Sequence, residues 1–274
     1  MAIQIEHSYQ PAKNTNKQTI VFCHGYAANY HYHDGFSNQL SDHDYYAVIL
    51  PGHGQAYNVT RDEMKVSYYG KLLADWILQK KLTRIILMGH SMGGAVVATA
   101  CKYLPKDVVS KLILIAPMNE ASIAKGLVFL TKFRPTRLAK GKHLTRFNKI
   151  LYFNRESIYE NPVNGAELLS KELEYYNARL TGFKHLHKSM STMKEMRQIV
   201  DAYRSLNVPT YLIVGEDDGI LPSNLTIKKL KKLIPDLTAI KMLRTGHLLF
   251  EERPVDYFKV VSDIIEDKKI QSLY

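Results

Sequence analysis

The segment Gly89-His90-Ser91-Met92-Gly93 contains a serine in a sequence context that suits a nucleophilic hydroxyl. It directly follows an apolar run at 84–88, typical of a strand, and directly precedes a stretch typical of a helix. A turn this tight leaves room for the backbone only when glycine stands two residues before and two after the serine. The free N–H groups of the following helix also favour negative charge at this point. We therefore predict that Ser91 is a catalytic nucleophile.

A serine hydroxyl is a poor nucleophile near neutral pH and needs a base within hydrogen-bond reach. Among the eleven histidines, His247 follows the predicted strand 238–245 and precedes the predicted helix 254–265. The carboxyl ends of parallel strands meet at one edge of a sheet, so we expect His247 to lie beside Ser91. His90 adjoins the serine but is expected to point away from it, and we interpret it as packing in the turn.

A third side chain must orient the imidazole and offset its developing charge. The predicted strand 210–216 runs into three consecutive acidic residues, Glu216, Asp217 and Asp218, and the residue types alone leave the choice open. Asp218 lies furthest past the strand and is followed by a flexible glycine, so it is the predicted acid. Asp217 is the alternative.

The oxyanion of a tetrahedral intermediate needs two N–H donors. We assign one to the backbone amide of Met92, which follows the nucleophile. The other is assigned to the backbone amide of Tyr26, where the chain turns sharply after His24-Gly25.

Neither a cofactor nor a metal ion is expected. His31, His33 and Asp34 lie close together in the sequence but resemble a metal site only loosely. The two cysteines, Cys23 and Cys101, are too few for a disulfide framework and are predicted to be packed free thiols.

Short apolar runs alternate with helical patterns, which favours an α/β fold with a mostly parallel central sheet flanked by helices. The run at 84–90 is apolar on both faces, as in a strand buried between two helical layers. The predicted strands are 18–24, 45–50, 84–90, 111–117, 210–216 and 238–245, and the predicted helices between and after them are 66–81, 91–103, 224–233 and 254–265.

The alternation stops between residues 119 and 206, where helical patterns at 166–180 and 184–203 dominate and no strand is indicated. This stretch is too long for a simple crossover. We predict a core formed by residues 1–118 and 207–274, with a helical cap inserted over the sheet at 119–206.

The order of Ser91, Asp218 and His247, with the His24-Gly25 turn and the loop Pro51-Gly52-His53-Gly54, resembles the α/β-hydrolase superfamily. Within it, the chain is similar to serine hydrolases of the monoacylglycerol lipase, lysophospholipase and proline iminopeptidase type. The resemblance spans about residues 18–258 apart from most of the insertion, and implies the α/β-hydrolase fold with a helical cap. Family loops of this kind often follow an aspartate, whereas a leucine stands here, so only a structural role is carried over to His53.

The net charge of +11 lies mainly in the insertion, because residues 120–200 hold 15 basic and 7 acidic side chains. Such a block can attract nucleic acid, an anionic membrane surface or an acidic carrier, and a merely solvated surface is the other interpretation. Nucleic acid is not expected as a partner, since no zinc-binding, RNA-binding or helix-turn-helix signature is present. Without a signal-peptide pattern or a membrane-spanning run, we expect a cytoplasmic protein, peripheral at a membrane at most.

These residues together predict a serine hydrolase that cleaves small-molecule or lipid carboxylic esters through an acyl-enzyme on Ser91. Apolar cap stretches at 127–130 and 151–153 are candidates for an acyl pocket, although packing of the cap on the core also accounts for them. An acyl thioesterase and a proline iminopeptidase-like peptidase are alternatives. The basic cap disfavours the peptidase, which needs carboxylates to hold a substrate ammonium group. A non-catalytic binding module with a basic surface is the alternative of a different class.

Overall fold

The fold is taken from a computed structural model. It describes residues 5–13, 18–28, 38–55, 59–121, 134–154 and 164–274.

Seven strands form the central sheet of the described chain, in the order β1-β3-β2-β4-β5-β6-β7. Neighbouring strands are parallel except for β1, which runs antiparallel to β3. The mostly parallel sheet predicted from the sequence is therefore confirmed. The strands are β1 Glu6–Gln10, β2 Thr19–Cys23, β3 Asp44–Ile49, β4 Ile85–His90, β5 Val109–Ile115, β6 Thr210–Gly215 and β7 Thr238–Met242.

Strand β1 is not predicted from the sequence. This strand lies at the edge of the sheet with one neighbour, and none of its five residues is fully buried. Its sequence Glu-His-Ser-Tyr-Gln consequently lacks the apolar pattern on which strand prediction depends.

Helices cover the two faces of this sheet. Alternate residues of β4 belong to two separate core clusters: Ile85 and Leu87 pack with side chains of α1 and α2, whereas Ile86 and Met88 pack with side chains of α10. This accounts for a strand that is apolar on both faces. The helices are α1 Val66–Gln79, α2 Met92–Cys101, α3 Pro135–Leu138, α4 Gly141–Lys149, α5 Gly165–Ala178, α6 Leu180–Met190, α7 Met193–Arg204, α8 Ser223–Leu233, α9 Leu249–Glu252 and α10 Pro254–Ile265.

Between β5 and β6 the described residues form helices α3 to α7 and no strand. The prediction of one helix at 184–203 is wrong, because α6 ends before Ser191 and α7 begins after Thr192. The Thr192 hydroxyl accepts a hydrogen bond from the Glu195 N–H at 3.2 Å and so caps the new helix. Helix α7 packs against α2, and its Tyr203 belongs to the same core cluster. The end of the predicted insertion therefore lies in the helical layer on the sheet.

No helix in the described part of the chain has the length and apolar character required to cross a bilayer. Both cysteines are free thiols, as predicted. Cys23 is buried at the end of β2, and this burial raises the pKa of its thiol.

Candidate active site

Ser91 lies between β4 and α2 in a strained backbone conformation, with φ 54° and ψ −119°. A residue with a side chain adopts such angles only where the surrounding structure enforces them. A β-carbon at position 89 would collide with the Gly93 carbonyl oxygen, and one at position 93 would collide with the Cys23 carbonyl oxygen. The Ser91 N–H donates to the Ile115 carbonyl at 2.9 Å. The strand-to-helix turn predicted from the Gly-x-Ser-x-Gly pattern is thus present, with Ser91 half-buried.

His247 and Asp218 are buried together at the ends of neighbouring strands. His247 Nδ1 lies 2.7 Å from Asp218 Oδ2. The other carboxylate oxygen of Asp218 accepts hydrogen bonds from the N–H groups of Ile220 at 2.7 Å and Leu221 at 2.8 Å. Because an ionised carboxylate only accepts hydrogen bonds, Nδ1 carries the proton in this pair and Nε2 is left as the basic nitrogen. The alternative acid, Asp217, is exposed.

His90 connects the serine turn to the loop that carries His247. The centroids of these two imidazole rings are 4.8 Å apart, and His90 Nε2 lies 3.1 Å from the His247 carbonyl oxygen. Ser91, the next residue, therefore stands at the same edge of the sheet as His247. The hydrogen bonds of the described residues do not include one between the Ser91 hydroxyl and His247. Such bonds commonly form only when substrate is bound.

The loop after β2 packs directly against the nucleophile. A β-carbon at Gly25 would lie 3.1 Å from the β-carbon of Ser91. The backbone hydrogen bonds of the described residues include none donated by Tyr26 or Met92. Within the described part of the chain, neither of the two amides predicted for the oxyanion therefore donates to a backbone carbonyl in these bonds.

Two buried histidines hold this loop in place. His53 Nε2 accepts a hydrogen bond from the Ala27 N–H at 3.2 Å, and His24 Nε2 accepts one from the Leu50 N–H at 3.0 Å. The other nitrogen of each ring faces a backbone carbonyl oxygen. Burial lowers the pKa of His24 to about 4 and that of His53 well below its usual value. Both rings are therefore neutral near pH 7, which is the state that can accept these bonds.

The inserted helices also form hydrogen bonds to this loop and to the loop that carries His53. The Tyr175 hydroxyl, on α5, donates to the carbonyl of Ala28 at 2.9 Å. The Arg179 guanidinium lies 4.1 Å from the centroid of the Tyr175 ring and donates to the Gly54 carbonyl at 2.7 Å. The insertion is thereby attached to the side of the site on which Tyr26 lies.

Comparison with known proteins identifies the family of this chain. The sequence matches the family described as "Alpha/beta hydrolase family" over residues 20–260. The chain belongs to the alpha/beta hydrolase family. This alpha/beta hydrolase is 30% identical over 276 residues to "Putative esterase/lipase 3" of Mycoplasma pneumoniae, covering 99% of this chain and 95% of that protein. It is 26% identical over 274 residues to "Lipase 1" of Psychrobacter immobilis, covering 95% and 82%.

Solved structures show the same fold. An esterase (EaEST) from Exiguobacterium antarcticum superposes with a TM-score of 0.73 at 18% identity, covering 96% of this alpha/beta hydrolase and 95% of that chain. At this identity the likeness concerns the fold alone.

Several predicted features of the alpha/beta hydrolase fall outside the described residues, namely the cap stretch 127–130 and the group His31, His33 and Asp34. Within the described ranges, no group of three histidine, cysteine, aspartate or glutamate side chains is arranged to hold a metal ion. The stretch 151–153 is described, and its Leu151 and Tyr152 pack against the core cluster that contains α10.

Proposed function

We propose that this protein is a serine hydrolase that cleaves carboxylic esters, with Ser91 as nucleophile, His247 as base and Asp218 as the carboxylate that orients the base. The observation that supports the proposal most is the buried 2.7 Å contact between His247 Nδ1 and Asp218 Oδ2 at the sheet edge where Ser91 stands. The names of the relatives, esterase/lipase and lipase, support the same chemistry.

In the proposed reaction, His247 Nε2 takes the proton of the Ser91 hydroxyl while Oγ attacks the ester carbonyl carbon. The amides of Tyr26 and Met92 donate to the resulting oxyanion. The imidazolium then gives its proton to the leaving alcohol, and an acyl-enzyme remains on Ser91. Water, deprotonated by the same imidazole, attacks the acyl carbon, and release of the carboxylic acid restores the serine.

An acyl ester with a neutral or anionic head group is the substrate class that we propose. Five basic side chains between residues 134 and 146 are exposed, and they favour an anionic group or surface nearby rather than an ammonium group. They are Arg134, Arg137, Lys140, Lys142 and Arg146.

The ester proposal is tested with recombinant protein and a panel of p-nitrophenyl esters from acetate to laurate, a lysophospholipid, an acyl thioester and proline β-naphthylamide. Ester turnover that Ser91→Ala abolishes is the expected result. Unchanged turnover in Ser91→Ala contradicts the proposal. Faster turnover of the thioester or of the aminoacyl amide selects the thioesterase or the iminopeptidase instead. Salt-dependent DNA binding without ester turnover indicates the binding module.

The same exposed basic residues support a proposed contact between the cap and an anionic membrane surface. Sedimentation with vesicles tests it, using neutral phosphatidylcholine alone or mixed with anionic phosphatidylglycerol. The expected result is binding to the anionic vesicles that weakens as salt is added. Equal recovery with both kinds of vesicle contradicts a role for this charge.

A further inference from the structure

A short stretch of the insertion crosses directly over the loop that carries His247. This stretch, residues 150–154, is called the strap. The carbonyl oxygen of Leu151 accepts hydrogen bonds from the N–H of His247 at 2.6 Å and of Leu248 at 3.2 Å. The packing is tight, since a β-carbon at Gly246 would lie 2.5 Å from the Leu151 carbonyl oxygen and 2.7 Å from the Phe153 nitrogen. The strap and the His247 loop therefore cannot shift independently.

The carboxylate of Glu252, at the end of α9, joins the same two segments. Its Oε2 accepts a hydrogen bond from the Gly246 N–H at 2.6 Å. Its Oε1 accepts one from the Phe153 N–H at 2.7 Å and one from the Asn154 N–H at 3.2 Å. The half-buried Glu252 side chain thus links the strap to Gly246, the residue before His247. These hydrogen bonds are stronger than neutral ones because the acceptor is an ionised carboxylate.

The core holds His247 from its other sides. Asp218 contacts the imidazole, and His90 Nε2 lies 3.1 Å from the His247 carbonyl oxygen. The peptide groups on the N-terminal side of His247 are held by the Leu151 carbonyl and by Glu252. The direction of the imidazole toward Ser91 consequently depends on contacts made by the inserted strap as well as on the core.

We infer that Glu252 is a positioning residue for His247, which it fixes by fastening the strap to the catalytic loop. The inference rests on the proposed function of His247 as a base. Because displacement of a catalytic group by about 1 Å can cost about 100-fold in rate, loss of this carboxylate reduces turnover without any contact to substrate. The position of the inserted helices on the core therefore affects how well His247 can act as a base.

The test compares Glu252→Ala and Glu252→Gln with the wild-type protein, and uses Glu167→Gln as the matched control. Glu167 is exposed on α5 and pairs only with the exposed Lys171 among the described residues. Measurements are kcat and KM for a p-nitrophenyl ester, the thermal midpoint, and hydrogen exchange of the amides at 246–248.

We expect Glu252→Ala to lower kcat by about 10-fold to 100-fold with little change in KM. Exchange of the amides at 246–248 is expected to be faster in Glu252→Ala, because the Gly246 N–H has lost its acceptor. Glu252→Gln, which retains one acceptor oxygen, is expected to fall between Glu252→Ala and wild type. Glu167→Gln is expected to match wild type.

Unchanged kcat in folded Glu252→Ala overturns the inference. Reduced activity that only follows the loss of folded protein, with exchange at 246–248 unchanged, also overturns it. The hydrogen-exchange arm does not depend on catalysis. Faster exchange at 246–248 in Glu252→Ala supports the role of Glu252 in holding the His247 loop, even if the wild-type protein hydrolyses no ester. The absence of ester hydrolysis would count against the proposed function alone.

Discussion

Both carboxylate oxygens of Asp218 have hydrogen-bond partners: Oδ2 lies 2.7 Å from His247 Nδ1, and Oδ1 accepts from two backbone N–H groups. Asp217, one residue earlier, is exposed to solvent. Neighbours of the same residue type thus occupy opposite environments, which gives a matched pair of variants.

Asp218→Asn is expected to lower kcat for ester hydrolysis by about 10⁴-fold, because an amide favours the wrong tautomer of His247. Asp217→Asn is expected to leave kcat within about twofold, since surface substitutions away from such contacts have small effects. Steady-state kinetics with a p-nitrophenyl ester measures both. Equal losses in the two variants, or a larger loss in Asp217→Asn, would count against the assignment of the acid.

The loop that carries Tyr26 depends on His53, whose Nε2 accepts the Ala27 N–H. His53→Ala removes this acceptor, so we expect kcat to fall by about 10-fold to 100-fold as one oxyanion donor loses its position. A change in KM is not expected. Active sites are counted by titration with a phosphonate, so that unfolded protein does not enter the rate.

His143→Ala is the control for this variant, because His143 lies on α4 in the insertion rather than in the loop. If His53→Ala turned over ester at the wild-type rate per active site, His53 would have no part in holding the oxyanion loop.

Stability is expected to fall in acid partly because of His24. Burial lowers its pKa to about 4 in the folded protein, from about 6.5 in an unfolded chain. As pH falls from about 6.5 to about 4, the unfolded state binds a proton that the folded state does not, and the free energy of unfolding decreases by roughly 3 kcal/mol from this group. Urea denaturation at a series of pH values measures the change.

The variant His24→Gln isolates this contribution, since glutamine does not titrate. Its loss of stability between the same pH values is expected to be smaller than that of wild type. Parallel losses in the two proteins would show that His24 is not responsible.

Lys111 is a buried cation in β5, and the mainly apolar sequence of this strand does not indicate the contacts that it forms. Its Nζ donates to the carbonyl oxygens of Ile264 at 2.8 Å and Ile265 at 2.7 Å, and lies 2.9 Å from Asp267 Oδ2. Lys111→Met leaves these acceptors without their donor, and we expect the free energy of unfolding to fall by about 1–3 kcal/mol. Ester hydrolysis by the folded variant is expected to remain at the wild-type level.

Lys232→Met serves as the control, because Lys232 is exposed on α8. Urea denaturation of both variants is the measurement. A loss in Lys232→Met as large as in Lys111→Met would show that removal of charge, rather than of the buried contacts, causes the effect.

The sequence is sufficient to predict the six parallel strands, because buried strands must be apolar on both faces and β4 is. The sequence also predicts that Ser91, Asp218 and His247 lie at one sheet edge, because each follows a parallel strand. The local sequence around these residues is sufficient for that prediction.

The sequence does not predict contacts that join distant segments. The link from Glu252 to the strap spans 99 residues of separation, and nothing in the local pattern of Glu251-Glu252 distinguishes the carboxylate that forms it. His24 is similarly hidden: only the fold shows that its ring accepts the Leu50 N–H. The break between α6 and α7 had a local signal, the Thr192 cap three residues before Glu195.

The proposed function requires that Ser91 forms a covalent intermediate after His247 takes its proton. Intact-mass spectrometry after treatment with a fluorophosphonate tests it most directly. We expect one adduct per chain, mapped to Ser91, absent from Ser91→Ala and formed far more slowly in His247→Gln. An adduct on another residue, or undiminished labelling of Ser91→Ala, would contradict it.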